Sequence, residues 1–133
     1  MIDIEAMVYT PIAQELRSTF SGIDVKGEYV RTPAKLPHVS IVESDNYTSV
    51  PNLDTGTSEK VATVTYEVNV YSNKQGGKKS ECRAILNVID EMMFAMNFSR
   101  IAMTPVPNME DSTIYRLVAR YRANTDGTNL FRI

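Results

Sequence analysis

The sequence predicts an α+β domain: a mainly antiparallel sheet of four to five strands with two helices packed on one face. Three observations predict it. From Val61 to Tyr71 apolar and polar residues alternate without a break, the period of a strand with one buried face. Two segments, 3–20 and 78–96, carry apolar residues at helical spacing. Two further alternating runs, 101–106 and 113–121, flank a turn-rich hexapeptide and read as a hairpin.

In the first helical segment Ile4, Val8, Ile12, Leu16 and Phe20 form one stripe. Pro11 either starts a second helical segment with Thr10 as its N-cap or kinks a single helix, and Ser21-Gly22 stops it. Val25 to Tyr29 is a short strand interrupted by Gly27, and Pro33 and Pro37 make the next connection irregular. His38 to Glu43 alternates, with Val39 and Ile41 on one face. The span 45–56 is polar and turn-rich and is expected to be a projecting loop, of the length that commonly carries function.

In the long strand Val64, Tyr66, Val68 and Val70 share one face and Thr63, Thr65, Glu67 and Asn69 the other. At about 3.3 Å per residue it spans roughly 35 Å, long enough to run past the sheet. Gly76-Gly77 turns the chain into the second helix, where Ile85, Val88, Ile89, Met92 and Met96 form the apolar stripe and Arg83, Asn87, Asp90 and Glu91 oppose it. In the last strand Tyr115, Leu117, Ala119 and Tyr121 face one way; Arg116, Arg120 and Arg122 face the other, among Ile114 and Val118. The tail 123–133 has no pattern and is expected to be mobile in a monomer.

The length, 133 residues, is that of one domain over 1–133, and 43% hydrophobic content is enough for one sizeable core. No apolar run reaches the roughly 18 residues of a membrane span, and the acidic start Met1-Ile2-Asp3-Ile4-Glu5 does not read as an export signal. A net charge of -2 argues against nonspecific adhesion to nucleic acid. The single Cys82 forms no intrachain disulfide and reads as a small buried hydrophobe.

Chemistry-bearing motifs are scarce. One histidine, His38, and one cysteine cannot make an ordinary zinc site, and no Gly-x-Ser-x-Gly elbow accompanies His38, which reads as a strand-end residue with local hydrogen bonds. Gly76-Gly77-Lys78-Lys79-Ser80 lacks the first glycine of a phosphate-binding loop, since Tyr71 stands there. Glu43/Asp45, expected to share a strand face, and Glu110/Asp111 read as solvated charge. Met92, Met93 and Met96 read as helix core. No catalytic set, metal site or cofactor is expected. The arginine row, Arg116, Arg120 and Arg122, stands out as a contact surface.

A set of pieces spread over most of the chain carries a resemblance. They are Ile12-Ala13 with Leu16-Arg17, Gly27-Glu28-Tyr29-Val30, Pro37 to Glu43, Tyr66 to Asn73, Gly77-Lys78-Lys79 with Val88-Ile89-Asp90, Pro105 to Asn108, and Thr113 to Arg116 with Ala119-Arg120-Tyr121. In this order they resemble the tail-terminator, or tail-completion, family of long-tailed bacteriophages. The resemblance implies a non-enzymatic virion protein of the tail and neck, assembled in the host cytoplasm. It further implies a homo-oligomeric, hexameric ring that caps the tail tube protein, ends its polymerisation and meets the head-completion or connector protein. DNA would pass through the lumen without sequence-specific binding. Tyr47, Leu53, Asp54 and Glu59 of the loop region and Arg116, Arg120 and Arg122 are the expected interface residues. A stopper protein of the phage neck, the terminator of a phage-tail-like bacteriocin and a host-binding module are the alternatives.

Overall fold

The unbroken alternation of the long strand determines where everything else packs. In the computed structural model, which describes residues 1–48, 61–107 and 111–132, that strand (β3, Ala62–Ser72) is the centre of the sheet. It follows a helix (α1, Glu5–Thr19), a three-residue strand (β1, Asp24–Lys26) and a long strand (β2, His38–Thr48). After it come a second helix (α2, Lys78–Ala95), the pair β4 (Ser99–Pro107) and β5 (Tyr115–Thr125), and a two-residue strand (β6, Leu130–Phe131). The strand order is β1-β2-β3-β5-β4, with β6 beside the end of β5. The β1–β2 pair is parallel and the other pairs are antiparallel, so the six-stranded sheet is mixed but mostly antiparallel.

Both helices deliver their stripes to one face. Val8, Ile12, Ala13 and Leu16 of α1 and Cys82, Ile85, Leu86, Ile89 and Met93 of α2 are buried, against Val39, Ile41, Val64, Tyr66, Val68, Val70, Leu117, Ala119 and Tyr121 of the sheet. Tyr66 meets the Phe98 ring edge-on, with centroids 5.7 Å apart. Cys82 is indeed buried, its Sγ 3.6 Å from the carbonyls of Val70 and Tyr115, and burial pushes its thiol up to about 12. The helix ends follow local chemistry. Asn97 adopts the left-handed conformation (φ 70°), which lets the Phe98 N–H return to the Met93 carbonyl (2.9 Å) and buries the Phe98 ring beneath the last turn. Before α2, Gly76 takes φ 71°, a conformation open to glycine at no steric cost.

Several expectations are corrected. Helix α1 runs continuously through Pro11, so Thr10 caps nothing; its start lacks a side-chain cap at Ile4. The strand expected over 25–29 stops at Lys26. The α2 stripe runs through Cys82, Ile85, Leu86, Ile89 and Met93; Ile85 and Ile89 are buried as expected, while Val88, Met92 and Met96 are only partly buried. The long strand does not overrun the sheet: all eleven of its residues pair with β5 and ten with β2. The loop expected over 45–56 starts later, because Asp45 to Thr48 continue β2 opposite Thr65 to Ala62; 49–56 lie outside the described residues. The tail is not loose. Residues 123–125 finish β5, and β6 folds back on Asn124 and Thr125. Asn97 Nδ2 donates to the Leu130 carbonyl (3.0 Å), and Arg132 donates to the Phe94 carbonyl (2.6 Å) while stacking on its ring.

The bulge that carries β2 past Ser44 also separates the acidic pair. Glu43 pairs with Tyr66 on the helix-covered side, whereas Asp45 pairs with Thr65 on the opposite side. Glu43 is therefore half-buried, accepting from Asn46 Nδ2 (3.2 Å) and Tyr66 Oη (3.4 Å). Burial raises its pKa and outweighs those hydrogen bonds; the nearby Asp3 and Glu5 charges push the same way.

Two outcomes are expected. Pro11 is exposed inside α1 and cannot donate to the Met7 carbonyl, so Pro11→Ala should raise stability by about 1–2 kcal/mol in urea unfolding; an unchanged or lower midpoint would contradict a continuous helix. For Glu43 the folded pKa lies above the ordinary 4.5, so its contribution is fully present below that pH and lost as pH rises through the folded value. Glu43→Gln, which keeps the acceptor oxygen, should be more stable than wild type at pH 7, with the gap closing below pH 4.5. A gap independent of pH would contradict this.

Candidate interaction surface

The face of the sheet away from the helices is where the expected site residues converge. Alternation places Thr63, Thr65, Glu67, Asn69 and Tyr71 of β3 there, beside Arg116, Val118, Arg120, Arg122 and Asn124 of β5. Cross-strand register turns these residues into a ladder. Thr63 donates to Asn124 Oδ1 (2.7 Å), and Arg122 Nε donates to Thr65 Oγ1 (3.4 Å). Arg120 forks onto Glu67 Oε1 through Nε and Nη2, both at 3.1 Å. Arg116 reaches diagonally to Asn69 Oδ1 with two bonds, 2.9 and 2.8 Å.

The arginines are not equivalent. Arg116 is half-buried, its guanidinium 5.7 Å from the Tyr71 ring centroid and 5.8 Å from that of Tyr29. Asn69 beneath it is fully buried, so the pair is a sealed polar contact. Burial pushes the Tyr71 phenol up to about 12 although the Arg116 charge pulls the other way. Arg120, by contrast, keeps 56% of its side chain exposed and presents charge outward. Arg122 is half-buried, as Arg116 is.

The same face is sealed at its β1–β2 end. His38 is buried opposite Tyr71, and its Nδ1 lies 2.9 Å from Asp24 Oδ2. Burial raises the Asp24 pKa, but the hydrogen bond and charge of His38 prevail and hold it below the ordinary value. Asp24 thus fixes the histidine ring from the neighbouring strand, in keeping with a strand-end residue making local hydrogen bonds. No group of three or more His, Cys, Asp or Glu able to hold a metal occurs among the described residues.

Of the interface residues expected from sequence, Arg116, Arg120, Arg122 and Tyr47 share this face, Tyr47 lying exposed opposite Thr63. Leu53, Asp54 and Glu59 lie outside the described residues. Sequence reasoning missed the partners, Glu67, Asn69, Tyr71 and Tyr29. Glu67 carried a signal, since it is the single charge in the long alternation. Comparison with family models and with curated proteins found no match.

The contrast between the two arginines generates a test. Arg116→Ala leaves the buried Asn69 acceptor unpaired and should cost about 1–3 kcal/mol in urea unfolding. Arg120→Ala removes an exposed ion pair and should cost less than about 1 kcal/mol. Equal losses would contradict the division between a structural and a presented arginine.

Proposed function

We propose that the protein is a structural assembly subunit of the tail-terminator type. In this reading copies of the chain join into a ring on the end of a phage tail tube, stop its growth and offer a surface to the head connector. The observation that carries it is the sheet face away from the helices, where arginines are held by cross-strand partners and Arg120 and Tyr47 stay exposed above buried Thr63, Thr65, Asn69 and Val118. Such a surface suits docking against another rigid protein because little side-chain freedom remains to be lost on contact. The sequence pieces that resemble the terminator family contribute several of these positions, among them Tyr71, Arg116 and Arg120.

The proposed partners are further copies of this chain, the tail tube protein and a head-completion protein. DNA would cross the ring without base-specific contact, in line with a net charge of -2. No helix among the described residues is long and apolar enough to cross a membrane. The proposed location is the virion tail and neck.

The test is arrest of tube growth. Tail tube protein from the same virion, polymerised with substoichiometric wild-type protein, should give shorter tubes that no longer elongate. Arg120→Glu should fold normally yet lose arrest by on the order of tenfold or more, because it reverses the presented charge. Tubes that elongate equally with and without the wild-type protein would overturn the reading.

A further inference from the structure

The helices do not cover the sheet evenly. Helix α1 lies by β1, tied there by Tyr9 Oη to the Val25 carbonyl (3.0 Å), and α2 lies over β3 and β5. This leaves the helix-side shoulder of β4 open. Ile101 and Met103 remain 46% and 36% exposed, and a groove runs between β4 and α2. Near its Lys78 end a cavity of about 630 Å³ wraps the end of the β4–β5 pair, lined by Pro105, Pro107 and Tyr115 on the helix side and by Val106 and Arg116 on the other. Two further hollows of about 180 and 300 Å³, which share Asp90 and Arg100, lie along α2 beside Arg83, Met103 and Phe94. The rim is basic: Lys78, Arg83, Arg100 and Arg132 surround it, and Asp90, bonded to Arg100 at 3.3 Å, is the one acid among the groove's described lining residues.

The outer edge of β4 is closed to strand addition along 105–107. Pro105 and Pro107 are two residues apart, so both would turn the same way, and neither has an N–H to offer. A partner must therefore seat on the ledge through side chains.

At the opposite lateral edge the chain carries the complement. Asn46 Nδ2 binds the Ile2 carbonyl (2.9 Å), which holds the N-terminal segment against β2. Exposed Met1 and Met7 flank exposed Asp3 and Glu5 there, beside half-buried Glu43, with Glu5 and Met7 in the first turn of α1. The crowding of these carboxylates is what helps raise the Glu43 pKa, and a basic neighbour would relieve it.

We infer that the basic, apolar ledge between α2 and β4 seats the acidic N-terminal segment, Met1 to Met7, of a second copy of this chain. Apolar groups meet apolar groups and the charges are opposite. The two surfaces differ and lie at opposite edges, so the contact is head-to-tail and leaves each subunit able to bind one neighbour on either side. The inference rests on the ring-forming reading above and names the interface that reading needs.

Paired charge reversal tests it in sedimentation equilibrium of the full chain. Wild type should self-associate with rising concentration. Lys78→Glu with Arg83→Glu, and separately Asp3→Lys with Glu5→Lys, should each weaken association by on the order of tenfold or more while circular dichroism stays unchanged. Mixing the two variants in equal amounts should restore association, since each reversed surface then meets its complement. A wild type that stays monomeric at every concentration, variants that associate like wild type, or a mixture that fails to recover would overturn the inference. Normal tube arrest by both reversed variants would sink the interface and leave the terminator reading standing. Charge-dependent association without tube arrest would do the opposite.

Discussion

The structure depends on one constraint, the burial of β3 on both faces and its pairing along both edges. Eleven consecutive residues each stand opposite a β5 residue, and ten of them also opposite a β2 residue. A register slip of one residue would send Val64, Tyr66, Val68 and Val70 out of the core and Glu67 and Asn69 into it, so the register is strongly specified. That fixed register aligns the polar ladder on the other face. Thr63 meets Asn124, Thr65 meets Arg122 and Glu67 meets Arg120 because the apolar side admits no other alignment. The core thereby determines the geometry of the surface, and the arginines come preorganised at the cost of no extra scaffold.

Much of this is legible in the amino-acid sequence. The class, the two helices, the long strand and the side on which each β5 residue lies follow from periodicity, which is a strong signal over long segments. Periodicity fails where the backbone departs from regularity. The bulge at Ser44 shifts the alternation by one, so a reading that assumes strict alternation places Glu43 and Asp45 together and ends β2 too early. The strand expected over 25–29 shrinks to the three residues of β1 that pair with β2, and β6, with two residues beside β5, is too short for any pattern. The C-terminal tail is pinned by Asn97 and Arg132, contacts between residues more than thirty positions apart that local pattern cannot reveal. Pro11 leaves two readings open in the sequence, and tertiary burial of Val8, Ile12, Ala13 and Leu16 outweighs its local penalty and selects the single helix.

The surface was half legible. The arginine row is visible in the sequence as every second residue from Arg120 to Arg122, with Arg116 on the same phase. What each arginine does is not, because that depends on burial. Arg116 is consumed by Asn69 and the tyrosine rings, whereas Arg120 is left facing out, and only the pairing of β3 with β5 separates them. The uneven helix layer is likewise a property of the assembled sheet. Two helices cannot cover a sheet in which β4 lies beyond β5, so one shoulder stays open, and the acidic N-terminal segment ends up at the far edge. Different surfaces at opposite edges are compatible with head-to-tail association, the arrangement proposed above.

We propose that copies of this chain cap a tube through the sheet face that carries Arg120. Electron cryo-microscopy of tube ends, after incubation of polymerised tail tube protein with the full chain, tests it most directly. The account predicts a closed ring of about 90 kDa (six copies of 14.9 kDa) seated on one end of each tube, with Arg120 at or beside the contact. Bare tube ends, with the protein left as free monomer, would contradict it.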